Sequence, residues 1–170
     1  MTVLVGVVSM RANGMTDKSR AAELVETIES LREPTSRYFQ DTGQLPREYS
    51  GYQGATYHRL ALDPGVEGWN GPYIDEPIRS AWNPTGGNVH VYNYAVHRHT
   101  GDDGFDLDGD GQADVTGTDA CMISFWQVQP GVAELVDRAF DDGIPGSWTS
   151  GGRVEYQVNS LRLAVLLFHR

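Results

Sequence analysis

The spacing of apolar residues changes along the N-terminal part of the chain. Residues 2–8 read Thr2-Val3-Leu4-Val5-Gly6-Val7-Val8 and are apolar or small on every side. Farther on, apolar residues recur at spacings of three, four and seven, which puts them on one face of an α-helix: Ala21, Leu24, Val25, Ile28, Leu31, Tyr38 and Phe39. Charged residues lie between them. The pattern predicts a long N-terminal helix over residues 1–40, apolar all round at its start and amphipathic afterwards.

Two features leave alternatives open within this helix. Residues 2–8 could instead form a buried β-strand, because valine favours strands. Pro34 removes a backbone hydrogen bond from a helix, so we expect a bend there or a helix end near Arg32. Beyond it, Asp41-Thr42-Gly43 followed by Pro46 predicts the end of the helix.

Residues 43–88 are dense in glycine and proline and read as a long irregular connection. A loop of this length in a compact domain needs side chains that pack it down. We expect its aromatic residues to do so against the helix and a sheet: Tyr49, Tyr52, Tyr57, Trp69, Tyr73 and Trp82. A short helix is predicted over Thr56 to Leu62.

The second half contains several predicted strands, the first of which alternates from Val89 to Val96. Strands are predicted over Val89–Val96 and Cys121–Val128, and a terminal hairpin over Arg153–Val158 and Leu161–Phe168. A helix is predicted from Pro130 to Phe140, with its inward face formed by Leu135, Val136, Ala139 and Phe140. The predicted fold class is therefore α+β, a long N-terminal helix packed on an antiparallel sheet, with residues 41–170 forming the globular head.

Charge is concentrated in one stretch. The formal net charge is −10, and seven of the 23 acidic residues lie between Gly101 and Asp119, where there is no lysine or arginine. This balance argues against nucleic acid as a partner, because phosphate binding needs a cationic face. The single cysteine, Cys121, allows no internal disulfide and suits a small buried residue in a strand. The apolar run ends by Met10 and is shorter than the roughly 20 residues of a membrane span.

The acidic stretch 101–119 contains a pattern typical of calcium loops. Carboxylates at alternate positions, with glycines that allow a tight wrap, bring several oxygens to one point, as Ca²⁺ requires. On an EF-hand-type spacing, the predicted ligands are Asp106, Asp108, Asp110, the backbone carbonyl of Gln112, and Asp114. Gly117 stands where an EF-hand has its bidentate glutamate. A further ligand is therefore expected from Asp119, Asp102 or Asp103. A solvated acidic loop without an ion is the alternative, and His97 with His99 is a weak zinc candidate.

Several short motifs follow one another in an order that resembles the type IV pilin superfamily, most closely the major pseudopilin of bacterial type II secretion systems. The apolar helix start is followed by four of them: Lys18-Ser19-Arg20-Ala21-Ala22-Glu23-Leu24, Tyr38-Phe39-Gln40-Asp41-Thr42-Gly43-Gln44-Leu45-Pro46, Gly71-Pro72-Tyr73-Ile74, and Trp82-Asn83-Pro84-Thr85-Gly86-Gly87 leading to Tyr94. The resemblance covers about residues 1–96. The chain departs from the family at position 5, where Val5 stands without the family's N-terminal glutamate and peptidase site. It also departs beyond about Asp119, where the chain is longer than such pseudopilins usually are.

The resemblance implies a non-enzymatic subunit that is anchored in the bacterial inner membrane and polymerises in the periplasm, powered by a separate ATPase. Its partners would be copies of itself, other pseudopilins and the inner-membrane assembly platform. The self-assembly residues would be Val3, Leu4, Val5, Val7 and Val8, as the remnant of a longer membrane and filament-core helix, and calcium would rigidify the head. The alternative is a secreted calcium-dependent carbohydrate-binding module or hydrolase that stacks sugars on Trp69, Tyr73 and Trp82.

Overall fold

A computed structural model describes residues 3–93, 104–117, 120–142, 144 and 147–170, with side chains from Thr16 onwards. The chain begins with α1 (Val3–Thr42), one continuous helix of 40 residues. The strand alternative for residues 2–8 is therefore wrong over residues 3–8, whose backbone is helical. No helix among the described residues is long and apolar enough to cross a membrane.

The amphipathic half of α1 lies where the spacing predicts. Leu24, Ile28, Leu31 and Tyr38 are fully buried, and Ala21 is nearly so. The predicted end near Arg32 is wrong, because the helix continues through Pro34. Leu31 and Tyr38 hold the helix in the core on both sides of the proline. The carbonyl that Pro34 leaves without a donor belongs to Ser30, which is exposed and can bond to water.

The helix stops at the predicted place. Gly43 adopts the left-handed conformation with a φ of 67°, and its amide donates to the carbonyl of Phe39 at 2.8 Å. Glycine is the residue that enters this conformation without steric cost. The Thr42 hydroxyl donates to the carbonyl of Tyr38 at 2.7 Å, which satisfies another carbonyl of the last turn.

The sheet has five antiparallel strands in the order β1-β2-β5-β7-β6. Their bounds are β1 (Glu48–Tyr49), β2 (Val89–Tyr92), β5 (Ala120–Phe125), β6 (Val154–Gln157) and β7 (Arg162–His169). A separate two-stranded ribbon is formed by β3 (Gly104–Phe105) and β4 (Val115–Thr116). The prediction of an α+β fold class is confirmed. One face of the sheet packs against α1 and α2 (Pro130–Asp141), and the apolar side chains between them form the main core.

Two predicted strands are shorter in the structure. The strand from Cys121 ends at Phe125, because Gln127 takes a φ of 61°, which an extended strand does not allow. β2 ends at Tyr92, and the predicted continuation from residue 94 to Val96 lies outside the described residues. The terminal hairpin is confirmed, with a 3-10 turn over Val158–Ser160 between β6 and β7.

The inward face of α2 differs from the prediction. Val136 is buried as expected, but Ala139 is exposed, while Leu135 and Phe140 are half-buried. The buried positions are Val132, Ala133, Val136, Asp137 and Asp141. The helix is turned toward this face because the Asp141 carboxylate bonds to two backbone amides at the start of β6. The predicted inward face included neither aspartate.

The long connection is organised by a buried carboxylate rather than by a helix. Residues 56–62 form turns, so the short helix predicted there is wrong. Glu48 is fully buried and accepts from the His58 ring at 2.6 Å and from the amides of Leu60 and Ile78 at 3.1 and 3.3 Å. These bonds fix three separate stretches of the connection, and a helix over 56–62 would break them.

The aromatic residues of the connection pack as predicted against helix and sheet. On the helix side, the rings of Tyr38 and Tyr73 meet edge to face at 5.6 Å. On the outer side of the sheet, tyrosines surround the His90 ring, which stacks on Tyr49 at 4.6 Å. Burial lowers the pKa of His90 to about 4, so this imidazole is neutral at physiological pH.

Candidate metal centre

The acidic loop is held at both ends by the β3–β4 ribbon. Gly104 pairs with Thr116 and Phe105 with Val115, and the Asp114 amide donates to the carbonyl of Phe105 at 2.8 Å. Phe105 and Val115 are buried in a second apolar cluster on the outer face of the sheet. Its other buried members are Ala120, Met122, Ala164 and Leu166. The loop of residues 106–114 therefore rises from a packed base.

Asp106 organises the interior of the loop. One of its carboxylate oxygens accepts from the amides of Gly109 and Asp110 at 2.8 and 3.2 Å, and the other accepts from Gly111 at 2.8 Å. The wrap needs Gly109 and Gly111, which have φ values of 76° and 88°. The Asp106 carbonyl accepts from the amide of Gly152 at 2.6 Å, which ties the loop to the chain before β6.

Three of the predicted ligands converge. Asp106, Asp108 and Asp114 each offer a carboxylate oxygen, and these oxygens lie within 4.8 Å of one another. Calcium binds oxygens at about 2.3–2.6 Å. Two oxygens on opposite sides of the ion are separated by about twice this distance, which is close to the spacing of these carboxylates. Asp106 is half-buried, while Asp108 and Asp114 are exposed, so further positions around an ion are open to water.

The other predicted ligands have different places. Asp110 is outside the converging group and accepts from the Gln112 amide at 2.8 Å, while Gln112 is exposed in the loop. Gly117 follows β4 with a φ of 59° and has no side chain to offer. Three candidates for the remaining ligand lie outside the described residues, namely Asp102, Asp103 and Asp119. The same holds for the weak zinc candidates His97 and His99.

The arrangement suits a hard dication. Three carboxylates at this separation repel one another in the absence of positive charge, and oxygen-only ligation favours Ca²⁺. Each of the three side chains is positioned by a backbone amide, including Leu107 to Asp114 at 2.8 Å and Asp110 to Asp108 at 3.1 Å. The backbone of the loop therefore positions the three carboxylates. A bound cation would offset their mutual repulsion by attracting all three.

Sequence reasoning found the carboxylates but missed what supports them. The anchoring roles of Phe105, Val115 and the Gly152 amide were not predicted. The sequence did contain a signal for this support. Gly104-Phe105 and Val115-Thr116 flank the loop, and two short strand-like segments on either side of a turn predict a ribbon.

The aromatic residues proposed as a sugar platform are used in packing. Trp69 donates from its indole nitrogen to the carbonyl of Arg59 at 2.9 Å and meets Tyr73 at right angles, with ring centroids 5.9 Å apart. Tyr73 is buried and its hydroxyl donates to Asp41 at 2.8 Å. Trp82 is half-buried against the main core. These rings stabilise the connection against α1, and they do not form one exposed stacking surface.

Comparison with known proteins gave no relative. No protein-family model matches the chain, and no curated protein or solved structure matches it at significance.

Proposed function

We propose that this chain is a structural, non-enzymatic subunit of a type II secretion pseudopilus or a related type IV pilus-like filament. It would assemble through its N-terminal helix, and calcium would stabilise its head. The observation that carries the proposal is α1, in which one uninterrupted helix joins the apolar residues 3–8 to the spine of the α+β head. The order of motifs along the chain resembles that of the family, and the geometry of α1 suits the role.

The dimensions of α1 suit a subunit that packs helix against helix. At 1.5 Å per residue, the 40 residues of the helix extend about 60 Å. Among the residues whose side chains the structure describes, burial by the head begins at Ala21, which lies about 27 Å along the helix axis from Val3. Val3, Leu4, Val5, Val7 and Val8 belong to the part before Ala21, where apolar side chains would meet other copies or lipid. Its partners would be further copies, other pseudopilins and the inner-membrane assembly platform, with the head in the periplasm or on an extracellular filament.

Calcium would act on the head rather than in a reaction. A ligand that binds only the folded state stabilises it by mass action. The loop joins β3 to β4 and bonds to the chain before β6 through Gly152. An ion held by Asp106, Asp108 and Asp114 would therefore stiffen three segments on the outer face of the sheet, which is the face turned away from α1.

Self-association tests the proposal. Sedimentation velocity and negative-stain electron microscopy of the chain with calcium should show concentration-dependent oligomers or filaments. Val5→Asp with Val7→Asp should give monomers with an unchanged melting temperature. Ser19→Asp, an exposed position on the same helix, is the matched control and should still associate. A chain that stays monomeric with and without lipid, and at every concentration, would contradict the filament role.

A further inference from the structure

The inner face of α2 carries two buried carboxylates one turn apart. Asp137 and Asp141 are 9% and 6% exposed. Among the residues that the structure describes, no salt bridge joins either of them to a base. Buried carboxylates are normally paired or hydrogen-bonded, because an isolated charge is costly away from water. These two positions therefore need an explanation.

Asp141 has a structural role through one oxygen only. That oxygen accepts from the amides of Arg153 and Val154 at 2.8 and 2.7 Å. Gly152 allows this approach, because a Cβ atom there would lie 2.4 Å from the Asp141 carboxyl carbon. The second oxygen of Asp141 is buried and has no hydrogen-bond partner. The carboxylate is thus half satisfied.

Asp137 lines a cavity without a bonding partner among the residues that the structure describes. Its side chain makes no hydrogen bond or ion pair with any described residue, and it lines a cavity of about 230 Å³. The described walls also include Asp141, Asp142, Ser147 and Trp148. Arg138 lies at the rim but is paired with Glu134 on the next turn of α2. The cavity is consequently acidic, and Ile144 and Trp148 give it apolar walls.

The geometry points to an organic cation as the ligand, and we propose that this cavity binds a guanidinium group between Asp137, Asp141 and the Trp148 ring. A guanidinium is planar, is weakly hydrated, bonds to carboxylates and stacks on aromatic faces. Trp148 is held in place for this role by Tyr156, whose ring lies nearly parallel to it at 5.3 Å.

A metal ion suits the cavity less well. Among the described residues, the one group of three carboxylate, thiolate or imidazole ligands that converges within 4.8 Å is at Asp106, Asp108 and Asp114. The cavity is also much larger than a single ion or water needs, since a water occupies about 30 Å³ in the liquid. An alkylguanidinium is larger than either, and both Asp137 and Asp141 line the cavity.

The same chemistry exists elsewhere in this chain. Arg162 lies over the rings of Trp126 and Tyr92, at 4.9 and 5.4 Å from their centroids. Arg32 lies over the Phe140 ring at 5.3 Å. In the α2 cavity the aromatic ring and the carboxylates are present, and the cation would come from outside. Its source would be either a free small molecule or an arginine side chain of another protein.

A titration with ethylguanidinium chloride at pH 7.5 and saturating calcium tests the inference. Two-dimensional NMR should show a saturable shift of the Trp148 indole signal, which is assigned by its loss in Trp148→Phe. Asp137→Asn should weaken binding at least about tenfold, the change expected for loss of one charge-assisted bond. Glu67→Gln removes one exposed acid far from α2 in sequence and should leave the affinity unchanged.

A blocked Gly-Arg-Gly peptide distinguishes the two sources. Binding as tight as that of ethylguanidinium supports an arginine side chain as ligand, and binding of the free cation alone supports a small molecule. Two results would overturn the proposal: no saturable shift at Trp148, or an equal shift in Asp137→Asn that retains native dispersion of its amide signals. As an independent readout, the cation should raise the melting temperature of the unaltered chain more than that of Asp137→Asn.

Discussion

The acidic loop and the α2 cavity both gather aspartates, but they are built in opposite ways. In the loop, Asp106 is surrounded by amides of its own segment, from Gly109 to Gly111, and its partners Asp108 and Asp114 are exposed. In the cavity, Asp137 and Asp141 are nearly buried, and the amides that bond to Asp141 come from the start of β6. The loop is a local structure and the cavity is a tertiary one.

This difference decides what each region can bind. A glycine-rich loop with exposed carboxylates can close around a small dication that keeps some of its water. A cavity lined by two buried carboxylates and an indole would select a larger cation by shape as well as charge. Proximity of acidic residues alone therefore does not predict the ligand. The ligand is predicted better by which segments supply the amides that position the carboxylates, and by how far the carboxylates lie from water.

The largest effect is expected from Asp106→Ala. Its carboxylate would supply one calcium ligand and accepts hydrogen bonds from three loop amides, so its loss should remove the ion and the wrap together. We expect calcium affinity to fall on the order of a thousandfold, as for several charge-assisted hydrogen bonds. Isothermal titration calorimetry measures it. Asp110→Ala is the matched control and should cost far less, since Asp110 is outside the converging group. Equal losses of calcium affinity in the two variants would contradict the assignment of Asp106, rather than Asp110, to the converging group.

Asp141→Ala should be the most damaging change in the cavity. It leaves the amides of Arg153 and Val154 without their acceptor and should lower the free energy of unfolding by about 2–3 kcal/mol. Urea denaturation followed by circular dichroism gives the value. Asp142→Ala, its exposed neighbour, should change stability by no more than about 0.5 kcal/mol. A variant as stable as the parent chain would show that these bonds do not hold α2 to β6.

Asp137→Asn should stabilise the chain, whereas Asp141→Ala should destabilise it. Burial, with help from Asp141 and Glu134, raises the pKa of Asp137 to about 6 from its usual 3.8. The folded state therefore binds more protons than the unfolded state between those values, so this group's contribution to stability falls as pH rises from about 4 to 6. At pH 7.5 the substitution should stabilise the chain by about 1–2 kcal/mol and flatten that part of the pH profile. Destabilisation at pH 7.5 would show that Asp137 has a native partner.

Much of the fold could be predicted from the sequence, because its determinants are local. Helical spacing from Ala21 to Tyr38 found the buried face of α1, and Gly43 marked its end. Pro130 marked the start of α2. The carboxylates of the acidic loop belong to the same class, since glycines and aspartates within one short segment decide their geometry.

The remainder depends on contacts between distant segments. Glu48 is buried and accepts hydrogen bonds from His58, Leu60 and Ile78, which excludes the helix predicted over 56–62. The rotation of α2 toward Asp137 and Asp141 follows from amides at the start of β6. No periodicity within α2 carries that information.

A thermal melt with and without calcium tests the central claim, a head stabilised by an ion in the 106–114 loop. At a hundredfold excess over its dissociation constant, calcium should add about 2.7 kcal/mol, or roughly 5–10 °C for a chain of this size. EGTA should reverse this rise, and Asp108→Ala with Asp110→Ala should melt at the EGTA temperature whether or not calcium is present. A melting temperature indifferent to calcium, to EGTA and to the double substitution would contradict the account.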